Sequence, residues 1–135
     1  MGRAEKVSTV SLTFGEMAMI PLVLTDIAEG TVIVGSSFIR RLYNRSRAYS
    51  IKEEIEEILD QVEELRHRDE TALVSVISDI EIRKGTRKFL LNAVNAAIEH
   101  RTSVPPVDNY FEIYPEALHE EVNILKGLSL ALRSS

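Results

Sequence analysis

The chain has 135 residues, 44% hydrophobic and 27% charged, an ordinary globular balance with room for one or two small domains. It holds no cysteine, which excludes disulfides, thiol catalysis and cysteine-ligated zinc. Its net charge of -5 argues against a protein that binds nucleic acid by bulk phosphate neutralisation. The charge is uneven, since residues 1–51 carry six Lys/Arg against four Asp/Glu and residues 52–135 carry ten against seventeen. No apolar run approaches the roughly 20 residues that span a bilayer. Met1-Gly-Arg-Ala-Glu-Lys6 leads into no apolar signal core, so a cytoplasmic location is expected.

Val10, Leu12 and Phe14 alternate with Ser11 and Thr13, which predicts a first strand over 7–14. Met17 to Leu24 is a second apolar run, in which Pro21 suggests an edge strand or a break. Thr31 to Val34 reads as a third strand. Ser36 or Ser37 then caps a short helix with Phe38, Ile39, Leu42 and Tyr43 on one face, and Ala48 to Ile51 returns as a last strand. Ser50-Ile-Lys-Glu53 is a capping box that predicts a helix to about Arg66. Its apolar stripe is Ile51, Ile55, Ile58, Leu59, Val62 and Leu65, and carboxylates fill the rest. A long helical stretch is expected from Glu70 to about His100, apolar on several sides and kinked or split near Gly85. Pro105-Pro106 marks a loop, and Leu118, Val122, Leu125 and Leu128 mark a last helix. No internal repeat is visible. The expected fold is α+β: a small β-rich module over 1–51 followed by an all-α bundle over 52–135.

The chemistry is sparse. His67, His100 and His119 form no metal-ligand pair, since His119-Glu120-Glu121 is followed by Asn123 where a zinc motif needs histidine. Gly30 and Gly35-Ser36 have the spacing of a phosphate loop but lack its lysine. No nucleophile elbow and no pair of carboxylates in unlike environments stands out, so neither an enzyme nor a cofactor is expected. Two basic clusters remain: Arg40, Arg41, Arg45 and Arg47, and Arg83, Lys84, Arg87 and Lys88. Arg40, Arg41, Arg83 and Arg87 are candidates for DNA or partner contacts. Pairing with the many carboxylates is the plainer use of both clusters.

The order of elements resembles a GINS subunit, of the archaeal type related to the second and third eukaryotic subunits. The resemblance is carried by Ile20 to Asp26, Glu29-Gly-Thr-Val-Ile-Val34, Phe38-Ile-Arg-Arg-Leu42 and Ala48-Tyr-Ser-Ile51. In the second half it rests on Asp79-Ile-Glu-Ile-Arg83 and on Val107-Asp-Asn-Tyr-Phe-Glu112 before a final amphipathic helix. Gly35 stands where that family often has proline, and the aromatic-proline segment between its domains is absent. The resemblance implies a non-catalytic, chromosome-associated replication factor. It implies pairing with a sister GINS subunit in a 2:2 heterotetramer, and contact with the MCM helicase and a RecJ-type protein. Leu73, Ile77, Ile80, Leu91, Val94, Leu118, Val122 and Leu125 would then supply core and subunit interface together. Two other classes compete. One is a small DNA-binding regulator that reads with the helix around Arg40-Arg41 and dimerises through its helices. The other is a helical enzyme of chorismate-mutase type, which needs convergent arginines around a cleft.

Overall fold

The alternation that begins at Val7 makes a strand, β1 (Val7–Thr13), with Ser8, Val10 and Leu12 turned inward and Val7, Thr9 and Ser11 outward. Thr13 ends the strand and starts a helix. Its hydroxyl accepts the Glu16 N–H at 3.2 Å while its own N–H donates to Glu16 Oε1 at 2.8 Å. This reciprocal capping box launches α1 (Phe14–Glu29), so Met17 to Leu24, expected as an edge strand or a break, is helical instead. Met17, Ile20, Val23, Leu24 and Ile27 recur at helical spacing and are all buried. Their burial offsets the ~3 kcal/mol that Pro21 costs inside a helix. The helix stops at Gly30, whose N–H bonds the Ile27 carbonyl.

The computed structural model describes residues 7–35, 37–68, 77–103 and 115–134. Within them, Thr31 to Val34 is irregular rather than a third strand. Val32 is buried, and its N–H reaches back to the Asp26 carbonyl at 3.1 Å. Ser37 caps α2 (Phe38–Glu54) by accepting the Arg40 N–H at 3.2 Å. That helix runs straight through Ala48 to Ile51, where the last strand was expected. Ser50 lies inside it and donates to the Ser46 carbonyl at 3.4 Å rather than capping anything. Past Ile55 the chain continues as α3 (Glu56–Arg68), with Ile58 and Leu59 packed against the core and Glu56, Glu57, Asp60, Glu63 and Glu64 exposed.

The largest correction falls on the long helix expected from Glu70. Ile77–Arg83 is a strand, β2, followed directly by α4 (Lys84–Ser103) and later by α5 (Pro115–Ser134). β1 and β2 pair antiparallel, Val7 opposite Arg83 and Thr13 opposite Ile77. The fold class is α+β as expected, but the sheet joins both sides of the expected boundary after residue 51. The part expected to be all helical supplies half of the ribbon. A lone strand leaves its backbone groups unpaired, and β1 finds its hydrogen bonds only on β2 among the described residues.

The pairing is symmetric about Val10 and Ile80, which lie 70 positions apart. The same shift places Leu12 on Ile82, Ile20 on Leu90, Val23 on Ala93, Leu24 on Val94 and Ile27 on Ala97, and every one is buried. The described residues therefore form two strand–helix–helix units about a pseudo-two-fold axis, with α3 added after the first. The units interlock, for α1 packs against α2, α3, α4 and α5. Thr86 at the start of α4 donates to both Glu54 oxygens on α2, at 3.2 and 3.3 Å. Arg101 on α4 meets Asp26 on α1 at 3.2 Å and Glu121 on α5 at 3.1 Å. Val10, Leu12, Phe14, Ile20, Leu24, Leu90, Val94, Leu125, Leu128 and Leu132 fill one core between the ribbon and the helices.

Candidate functional site

Strand periodicity divides the ribbon into two faces. Inward go Val10, Leu12, Ile80 and Ile82. Outward go Val7 opposite Arg83, Thr9 opposite Glu81, and Ser11 opposite Asp79. The Ser11 hydroxyl donates to Asp79 Oδ1 across the ribbon. Val7 is 55% exposed and Thr9, Ser11, Asp79, Glu81 and Arg83 are exposed too, so the outer face meets solvent, with none of the described helices across it. Seven residues per strand at about 3.4 Å each make a ribbon some 24 Å long. Such a ribbon fits the major groove of B-DNA, which is about 12 Å wide and admits two antiparallel strands.

The chemistry of that face is hydrogen-bonding and of mixed charge. Thr9 and Ser11 offer hydroxyls, Asp79 and Glu81 offer acceptors, and Arg83 is the one cation on it among the described residues. Arg83 also lies 3.4 Å from Glu54 Oε1 through Nε. Exposed Lys84 and Lys88 follow on the first turns of α4.

The expected contact residues are scattered. Arg40 is exposed, with its guanidinium 5.9 Å from the centre of the Tyr43 ring. Arg41 donates to the Gly35 carbonyl at 3.1 Å, and Arg45 to the Ala28 carbonyl at 3.3 Å, so both brace the link between α1 and α2. Arg87 donates to the Leu132 carbonyl at 2.8 Å and ties α4 to the end of α5. Arg41, Arg45 and Arg87 thus meet main-chain carbonyls, while Arg83 meets the Glu54 carboxylate as expected. Of the core and interface candidates, Ile80, Val94, Val122 and Leu125 are buried, Leu91 and Leu118 are half-buried, Ile77 lies in β2, and Leu73 falls outside the described residues. The Pro105-Pro106 and Val107 to Glu112 segments also fall outside them.

Sequence reasoning missed Thr9, Ser11, Asp79 and Glu81 as one surface, although Ile80-Glu-Ile82-Arg83 carries the period-two signal. It also missed Arg101, the ion-pair node of three helices. No group of three His, Asp or Glu side chains suited to a metal occurs among the described residues. His67 is exposed and 3.9 Å from Glu63, and His119 is exposed on α5. No described helix is long and apolar enough to cross a membrane. Compared with protein-family models, curated proteins and solved structures, the chain gives no match.

Proposed function

We propose that this chain is a small DNA-binding protein of the regulator class, with the β1–β2 ribbon as its reading surface. The observation that carries the reading is an uncovered antiparallel ribbon centred on a pseudo-two-fold axis and backed by a single core. Ribbons of this size enter the major groove and read base edges. Arg83 suits guanine, Asp79 and Glu81 suit the cytosine amino group, and Thr9 and Ser11 suit either partner of a base pair. In this reading the ribbon replaces the helix around Arg40-Arg41 as the reader. The acidic total keeps non-specific affinity low, so discrimination comes from the ribbon rather than from bulk charge. The test is selection from a randomised duplex pool at low salt, followed by Thr9→Ala and Arg83→Ala. Enrichment of a defined sequence, with preference relaxed roughly tenfold or more at one base pair per variant, supports the reading. A pool that enriches nothing sinks it.

A second reading, the GINS-type scaffold, is favoured by one feature. Phe38, Ile39, Leu42 and Tyr43 stand 73%, 80%, 46% and 51% exposed on the first turns of α2, an apolar surface suited to a protein partner. Its test is light scattering after coexpression with a sister subunit, where a 2:2 mass supports it. Against it stands the strand pairing, which leaves no separate module over 1–51 for a second partner.

A further inference from the structure

Two helix faces oppose each other across an open groove of about 470 Å³. Arg40, Tyr43, Asn44 and Arg47 line it from α2, and Gly85, Lys88, Phe89 and Asn92 from α4. Both sets follow the i, i+3, i+4, i+7 spacing of a single helix face. Arg40, Arg47 and Lys88 bring three positive charges, and no carboxylate lines the groove among the described residues. None of the three pairs with a carboxylate among the described residues. The two guanidiniums are instead held by rings. Arg40 lies 5.9 Å from the Tyr43 centroid and Arg47 lies 5.4 Å from that of Phe89, with Arg47 Nη1 also 3.4 Å from the Tyr43 hydroxyl. Gly35 closes one end at φ +119, where a Cβ would come within 2.9 Å of Arg40 Cγ. Gly85, in the first turn of α4, adds the positive end of that helix.

Like charges gathered without a counter-charge cost stability, and the fold does not require them. Shifted by 70 positions, the α4 lining falls on Gly15, Ala18, Met19 and Leu22 of α1, which carry no cation. A feature present in one unit and absent from its twin is not a demand of the shared core.

We infer that this groove is a binding site for a phosphate-bearing anion. Arg40 and Arg47 would supply planar, pre-oriented donors and Lys88 a mobile one. The inference is independent of the ribbon reading, because a free phosphate ester needs no DNA. Two sources share the chemistry: a free phosphate ester such as a nucleoside diphosphate, and the backbone of a nucleic acid lying along α2 and α4.

Calorimetric titration of the whole chain separates them, with inorganic pyrophosphate, a nucleoside diphosphate and a short random-sequence duplex as probes. The variants are Arg40→Gln and Lys88→Gln, both at exposed positions, with Lys126→Gln on α5 as control and Arg47→Lys as the charge-preserving change. Loss of pyrophosphate and nucleotide binding by roughly tenfold or more in the two Gln variants, with a smaller loss in Arg47→Lys and Lys126→Gln near wild type, supports a site for free phosphate esters. The same pattern seen only with the duplex supports a backbone contact. Binding unchanged by both Gln variants, or no binding of any probe at low salt, overturns the inference. Sequence selection by the ribbon is read in a separate experiment, so either idea can fail alone.

Discussion

Residues 7–54 and 77–134 build the same strand–helix–helix unit with similar interiors and dissimilar surfaces. Val10, Leu12, Ile20, Leu24 and Ile27 are buried in the first, and Ile80, Ile82, Leu90, Val94 and Ala97 occupy the matching places in the second. Outside, Thr9 and Ser11 correspond to Asp79 and Glu81 on the same ribbon. Thr13, which caps α1, corresponds to Arg83, which pairs with Glu54. Arg40, Arg47 and Lys88 line a groove between α2 and α4, and the α1 positions that match its α4 side carry no cation. Burial restricts residue type because each inward side chain must fill its share of one common core. Exposure imposes no such demand, so the outer faces are where the two units take on separate tasks.

The hardest test of this comparison is whether the units unfold together. Ile20→Ala and Leu90→Ala, at matching places in the two halves, should each cost roughly 2–5 kcal/mol. Urea unfolding followed by far-ultraviolet circular dichroism should show a single transition in both. A two-step curve in either variant would break the interlocked picture and restore two domains. Next in size is Arg101→Ala, which leaves Asp26 and Glu121 without their common partner. All three side chains are less than a third exposed, at 14%, 28% and 19%. A loss of about 1–3 kcal/mol is expected, against a much smaller one for a change at exposed Lys126. The smallest test contrasts the two strand ends. Thr13→Ala removes a capping box and should cost about 1 kcal/mol. Arg83→Ala removes an ion pair to an arginine 56% exposed and should cost no more than about 0.5 kcal/mol. Equal losses from the two would mean that Arg83 supports the fold as much as the cap does.

Part of this was legible in the amino-acid order. β1, the Ser37 cap, the buried stripe of α5 and the carboxylate face of α3 all follow from local periodicity and capping chemistry. Other elements were misread for identifiable reasons. Pro21 pulled the second run toward an edge strand, while the Thr13-x-x-Glu16 box that starts α1 went unused. Ile77 and Ile80 have helical spacing, and only the four residues from Ile80 alternate, too short a signal to win against a strongly apolar neighbourhood. The repeat escaped notice because its matching positions share burial rather than identity.

The sequence by itself determined which segments are amphipathic, where two helices begin, and that neither thiol nor cysteine–zinc chemistry is present. Those properties depend on neighbours within a few positions along the chain. Only the tertiary structure decided that β1 pairs with β2, that the two units share one core, and that Arg40, Arg47 and Lys88 line one groove. Each of these joins residues 40 or more positions apart, and local periodicity holds no information about which distant face will supply the missing hydrogen bonds and buried area.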